Sequence, residues 1–300
     1  MSEFSDESIY SFVQYLQIEK NYSEYTIGFY KRDIEQFFLF MTAQEITSFA
    51  DVEYFDARLY VSDLYSRKYA RASAARKISC LRSFYNFLLR EKLVLENPFA
   101  LVIQAKAETR LPHFFYEEEM KLLFEACSET THLGKRNLAL LELLYATGIR
   151  VSECANIQLK DLDFDFSTVL VKGKGRKERY VPFGSFAFEA LQRYINEVRT
   201  ELMKDNQQHY FLFVNSRGGP LRQTGIRYIL NKIIESASLT GKIHPHMLRH
   251  TFATHLLNNG ADMRTVQELL GHEHLSSTQV YTHVTKEHLR RTYMNHHPRA

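Results

Sequence analysis

Apolar residues recur three and four positions apart through almost all of this 300-residue chain. Strict alternation breaks in at one place, between residues 162 and 183. The first pattern lines one side of a helix and the second lines one face of a strand. A chain so patterned buries its apolar area mainly by packing helix on helix, with room for one small sheet. The predicted fold class is therefore mainly α: an N-terminal helical bundle, then an α-rich domain with a small three-stranded antiparallel sheet.

In the first hundred residues Ile9, Phe12, Val13 and Leu16 mark one helix. Ser23 is a suitable N-cap for a second, with Ile27, Tyr30, Ile34, Phe37, Phe38 and Met41 as its stripe. A third, less regular helix covers Val52 to Ser66. Ser73 is expected to cap a fourth, with Ile78, Leu81, Tyr85 and Leu88 turned inward. Four such helices make a bundle. Asn97-Pro98 ends it, and residues 99–112 (FALVIQAKAETRLP) have no clear period and read as a linker. The expected division is a bundle over 1–98, a linker over 99–112 and a second domain over 113–300. Lys68, Arg71, Arg76 and Lys77 cluster where the fourth helix begins, with Arg82 further along. Free N–H groups at a helix start favour anions, so added cations suit phosphate contact. A solvated helix face explains the same residues equally well.

The second domain opens with Tyr116-Glu117-Glu118-Glu119, acidic residues in a helix's first turn. Arg136 to Ala146 is a strongly apolar helix that Thr147-Gly148 stops, and Arg150 follows at once. An arginine just past a buried helix and a tight turn has its stem held and can aim its fork into a site. Leu162 to Phe164, Thr168 to Lys172 and Arg179 to Phe183 form the meander, with Lys174 between Gly173 and Gly175 in its second turn. No GxxxxGK[ST] occurs, so nucleotide hydrolysis is unsupported. A basic hairpin tip suits a nucleic-acid groove, or is simply a solubilising turn. Phe186 to Met203 is an amphipathic helix, and another begins near Thr224. Arg222 and Gln223 stand before it, side chains able to pair with a purine edge or to be ordinary solvated groups.

Residues 243–283 hold the densest chemistry. Pro245 suits a first helical turn, and His246 and Arg249, three apart, share one side of it. Asn259-Gly260 stops that helix, a second begins near Asp262, and Gly271 ends it immediately before His272. Tyr281 lies beyond Ser276-Ser277-Thr278. Taken singly, a helical histidine, an arginine and one tyrosine among 18 are packing or surface groups. Together with Arg150 and Lys174 they are the residue types that grip a phosphodiester and attack it without a metal. Two arginines can clamp the non-bridging oxygens. A tyrosine hydroxyl, with a free pKa of about 10, needs a base and a positive field to attack, and His246 or His272 could serve. A lysine on a hairpin could protonate the leaving 5′-oxygen. The product would be a phosphotyrosyl ester that keeps the bond energy, so no ATP and no cofactor are expected.

Composition narrows the setting. A net charge of +3 and a pI of about 8.6 are only mildly basic, so local clusters must carry any nucleic-acid contact. Cys80, Cys127 and Cys154 are scattered, as buried thiols in a reducing compartment are. The start MSEFSDES is unlike a signal peptide, and the longest apolar stretch, Leu138 to Ala146, is broken by Glu142 and too short to span a membrane. A cytoplasmic protein is expected. Seven histidines between His244 and His283 raise a metalloprotein as a rival, but there is no HExxH and no paired cysteines.

These motifs are carried by ATGIRVSE, VKGKGRKERYVP, HPHMLRHTFATHLLNNGADMRTVQELLGHEHLSSTQVYTHV and the tail HHPRA. With them the chain resembles the tyrosine recombinases, and within them the Xer-type chromosomal recombinases of bacteria, most closely the XerC branch. The resemblance implies that Arg150 and Arg249 bind the scissile phosphate and that His272 assists by hydrogen bonding. It implies His246 as general acid/base, Lys174 as proton donor to the leaving 5′-hydroxyl, and Tyr281 as the nucleophile of a 3′-phosphotyrosyl link. Arg222 and Gln223 would face the major groove of double-stranded DNA, and Arg71, Arg76 and Lys77 would contact DNA from the N-terminal bundle. The last helix, about Lys286 to Met294, and the HHPRA tail would dock on a neighbouring subunit. Expected partners are a sister recombinase of the XerD type, in a heterotetramer on a dif-like site, and a DNA translocase of the FtsK type. A mobile-element integrase would use the same chemistry, and a type IB topoisomerase would relax DNA with it.

Overall fold

The structure is a computed structural model that describes residues 3–20, 22–103, 114–173, 177–203, 209–239, 245–271 and 286–300. The chain forms two compact units, Met1–Arg110 and Leu111–Ala300.

In the first unit α1 (Glu3–Ile18), α2 (Glu24–Ala43), α3 (Tyr54–Ser66) and α4 (Arg71–Arg90) enclose an aromatic core. Ser23 caps α2 by accepting from the Thr26 N–H. Phe12, Phe37, Tyr60, Phe84, Tyr85 and Phe99 are fully buried, many meeting edge to face. Two expectations are corrected here. Ser73 is not the cap of α4: the cap position falls three residues earlier, at an extended Ala70 that offers no capping side chain. The stretch read as linker also begins inside this core. Phe99 and Val102 are buried, and the Arg82 fork grips both their carbonyls, at 3.0 Å each. A sequence without period can still pack, because burial here follows from those bonds and not from a helix face.

The second unit is built around α6 (His132–Thr147), buried along nearly its whole length. Helices α5 (Glu117–Glu125) and α7 (Val151–Cys154) flank it in sequence. The sheet has the order β1-β2-β3, from β1 (Leu162–Asp163), β2 (Thr168–Lys172) and β3 (Glu178–Pro182), all antiparallel. Alternation turns Val169, Val171 and Val181 into the core and puts Arg179 on the same face of β3 as Val181. The predicted amphipathic helix is interrupted: α8 (Ser185–Arg193) runs through a π turn (Tyr194–Arg199) into α9 (Thr200–Met203). Then come α10 (Gln223–Ser236), α11 (Pro245–Asn258), α12 (Met263–Leu270) and α13 (Lys286–His296). Among the described residues no helix is long and apolar enough to cross a membrane.

Candidate active site

Gly148 ends α6 in the left-handed region, at φ 58°. A Cβ there would meet Phe252 Cδ1 of α11 at 2.4 Å, so only glycine lets the chain turn this close to the helix. Two residues later Arg150 is the N-cap residue of α7. Its backbone N–H and its Nη1 both donate to Glu153, at 2.8 and 2.9 Å, and its side chain remains 38% exposed. The stem is thereby held while the fork stays open to solvent.

Arg249, on α11, is buried. Its Nη1 donates to the Gly148 carbonyl at 2.8 Å and its Nη2 to the Leu270 carbonyl at 2.7 Å. One side chain thus satisfies carbonyls at the C-terminal ends of α6 and α12, which their helices leave unpaired. Burial pushes the guanidinium down to about 10, helped by Arg150 and Arg179 and opposed by Glu153. It stays charged at neutral pH. Arg150 and Arg249 are therefore neighbours, joined through Gly148 and the α6 terminus.

Two further members had not been singled out from the sequence. Glu153 is buried, and its carboxylate takes bonds from Arg150 and from both ends of the Arg179 fork, at 3.1 and 2.9 Å. Burial alone would raise the Glu153 carboxyl, but the hydrogen bonds from Arg179 and the Arg150 N–H outweigh it and hold it below the usual range. Arg179 also donates its Nε to the Leu269 carbonyl, at 3.2 Å. Three guanidiniums around one carboxylate leave surplus positive charge, a site shaped to receive an anion. The signals were present: Glu153 stands three residues after Arg150 at a helix start, where a carboxylate reaches back to the N-cap. Arg179 is the polar residue on the inner face of β3.

His246 is exposed on the first turn of α11, three residues before Arg249. Lys174, His272 and Tyr281 lie outside the described residues. Among the described residues no group of three His, Cys, Asp or Glu side chains is placed to hold a metal ion.

Arg222 and Gln223 stand exposed at the start of α10, as the N-cap and first residue. In the first unit Arg71 is exposed on the first turn of α4, and Arg76 is half-exposed. Arg76 pairs with Asp33 and lies over the Phe29 ring at 5.1 Å. Lys77 is corrected as a surface contact: it is buried, with Nζ 2.8 Å from Asp33 Oδ1 and bonded to Gln36. Asp33 is itself buried on α2, where Arg76 and Lys77 together neutralise it.

In the chain by itself α13 packs on its own unit. Tyr293 is buried among Phe252, Leu256, Val266, Leu269 and Leu270, and its hydroxyl oxygen accepts the Gly184 N–H at 3.0 Å. Arg299 in the tail pairs with the buried Glu142 of α6 and stacks between Phe124 and Phe186.

A helix-rich second unit with neighbouring arginines suits a protein that handles an anion, and comparison with known families says which class it belongs to. Residues 113–288 match the phage integrase family, and residues 9–92 match the phage integrase N-terminal SAM-like domain. The chain belongs to the phage integrase family and is a tyrosine recombinase, an enzyme of DNA recombination. It is 58% identical over 290 residues to tyrosine recombinase XerC of Anoxybacillus flavithermus, covering 96% of this chain and 97% of that protein. It is equally 58% identical to tyrosine recombinase XerC of Bacillus subtilis, with 96% and 95% covered. A crystal structure of the XerH site-specific recombinase bound to its difH substrate superposes with a TM-score of 0.67 at 25% identity, covering 94% of this chain and 82% of that one.

Proposed function

We propose that this enzyme cuts and rejoins duplex DNA at a dif-type site through a 3′-phosphotyrosyl intermediate and so resolves chromosome dimers. It acts in the cytoplasm, in a heterotetramer with a sister recombinase of the XerD type and with a DNA translocase of the FtsK type. The observation that carries this reading is the adjacency of Arg150 and Arg249, one fork open and the other anchored on the ends of two helices.

Arg150 and Arg249 bind the non-bridging oxygens and stabilise the charge that builds on them as phosphorus becomes five-coordinate. The Tyr281 oxygen attacks phosphorus and its proton passes to His246. The bond from phosphorus to the 5′-oxygen breaks, and Lys174 gives that oxygen a proton. His272 holds the phosphate by a hydrogen bond. Attack by the 5′-hydroxyl of the other duplex reverses the step and releases Tyr281. Arg71 and Arg76 from the first unit, and Arg222 and Gln223 from the second, contact the DNA. A mobile-element integrase would share every step, but the relatives that match along nearly the full chain favour the chromosomal role.

The test is covalent adduct formation on a nicked dif-type duplex. The wild type is expected to form an adduct that survives detergent and is unaffected by EDTA. Tyr281→Phe is expected to form none while binding the duplex within about threefold of wild type. An adduct with the phenylalanine variant would show that another residue is the nucleophile.

A further inference from the structure

We propose that Arg179 is a positioning residue for cleavage, holding Glu153 so that the Arg150 fork stays available to the phosphate. The inference rests on the assignment of Arg150 as a phosphate ligand made above.

Arg179 meets Glu153 fork to fork, Nη1 on Oε1 and Nη2 on Oε2. Arg150 gives that carboxylate its backbone N–H and, among the described residues, one guanidinium nitrogen. The Glu153 side chain is 5% exposed and that of Arg179 is 17% exposed, so water screens their attraction little. The edge of the Arg179 guanidinium is committed to Glu153 and its Nε to the Leu269 carbonyl. It therefore acts through Glu153 and does not touch the phosphate.

The same side chain braces two backbone segments. A Cβ on Gly271 would lie 3.2 Å from its Cδ, Nε and Cζ, so the end of α12 rests on the flat of the guanidinium. A Cβ on Gly173 would lie 3.7 Å from its Nη1 and 3.8 Å from Glu153 Oε1. Gly271 and Gly173 immediately precede His272 and Lys174 in the chain.

Remove the Arg179 charge and the buried carboxylate keeps one hydrogen-bonded cation, Arg150, with Arg249 nearby. An unneutralised buried charge is costly, so Glu153 would draw Arg150 into a two-pronged pair. The fork would leave the phosphate, and the loss would fall on the chemical step and not on DNA affinity. Bracing of the glycines alone makes a different prediction, because it does not depend on the charge of Glu153.

Single-turnover cleavage on the same nicked duplex separates the two, with DNA affinity measured in parallel. Arg179→Met is expected to slow cleavage by about 10- to 100-fold, with affinity within about threefold of wild type. The double variant carrying Glu153→Gln as well removes the competing carboxylate and is expected to regain at least about fivefold over Arg179→Met. Arg179→Lys, which restores the charge, is expected to fall between wild type and Arg179→Met. A double variant no faster than Arg179→Met, or a loss of affinity that accounts for the slower cleavage, would overturn the proposal. If thermal melting shows Arg179→Met to be unfolded, Arg179→Gln with and without Glu153→Gln decides by the same criterion. Arg150→Ala is the control for the underlying assignment. If it cleaves like wild type, that assignment fails, whereas a dead Arg150→Ala with no rescue by the double variant refutes the present inference alone.

Discussion

His297 shows how the fold sets a single residue's chemistry. Its ring stacks on Tyr293 at 4.8 Å and packs on Tyr145 and Phe252, and its Nδ1 accepts the Arg299 N–H. Burial pushes its pKa from 6.5 down to about 3, with the Tyr145 backbone opposing the fall and the nearby His255 and Arg299 adding to it. The unfolded chain takes up the proton more readily, so this stability is complete above about pH 6.5 and is lost as pH falls toward about 3. Lowering the pH from about 7 to about 5 should cost roughly 2 kcal/mol at this one site. His297→Phe keeps the ring and removes the proton site, so its denaturant midpoint should fall less over that interval; an equal fall in both proteins would assign the acid sensitivity elsewhere. The active-site residues were legible to different degrees for a physical reason. Arg150 and Arg249 stand beside strong local punctuation, Gly148 after α6 and Pro245 at the start of α11. Glu153 and Arg179 are 26 residues apart in sequence, and nothing local says that a strand residue will meet a helix-start carboxylate.

At the scale of elements, periodicity located the helices well and missed their irregularities. The π turn at Tyr194–Arg199 is the clearest case. It sets Tyr194 against the segment 209–214, where its hydroxyl donates to the Leu212 carbonyl and accepts the Val214 N–H, both at 3.1 Å. Arg199 completes the arrangement by donating to the carbonyls of His209, Phe211 and Leu212. The extra residue in the helix is compensated by bonds to a segment that the helix's own pattern does not contain. Tyr194→Phe leaves a buried donor and a buried acceptor without that hydroxyl, at a cost of about 1–3 kcal/mol by denaturant unfolding. A variant as stable as wild type would mean that the turn is held by packing alone. The start of α4 carries the same lesson in reverse: Ser73 is the better capping side chain, yet the extended Ala70 sets the start of the helix.

For the whole molecule, the boundary of the first unit is decided by what Arg82 binds. A fragment ending at residue 103 keeps Phe99, Val102 and both Arg82 bonds, whereas one ending at residue 98 loses them. The longer fragment is expected to be more stable by about 3 kcal/mol or more, since a fully buried phenylalanine is at stake. Equal urea midpoints would restore the boundary at Pro98. The second unit is closed by its own tail, with Tyr293 in a core and Arg299 on Glu142. Sequence by itself determined the helical class, the single meander, the punctuation at Gly148, Gly260 and Gly271, and the pair of arginines, because each follows from spacing or backbone freedom over a few residues. Tertiary structure alone decided that Lys77 is buried against Asp33, that α13 folds back on its own unit, and that Arg179 and Glu153 join the arginines. Those outcomes depend on which charges meet out of water, and partners distant in sequence leave no periodic trace in the chain.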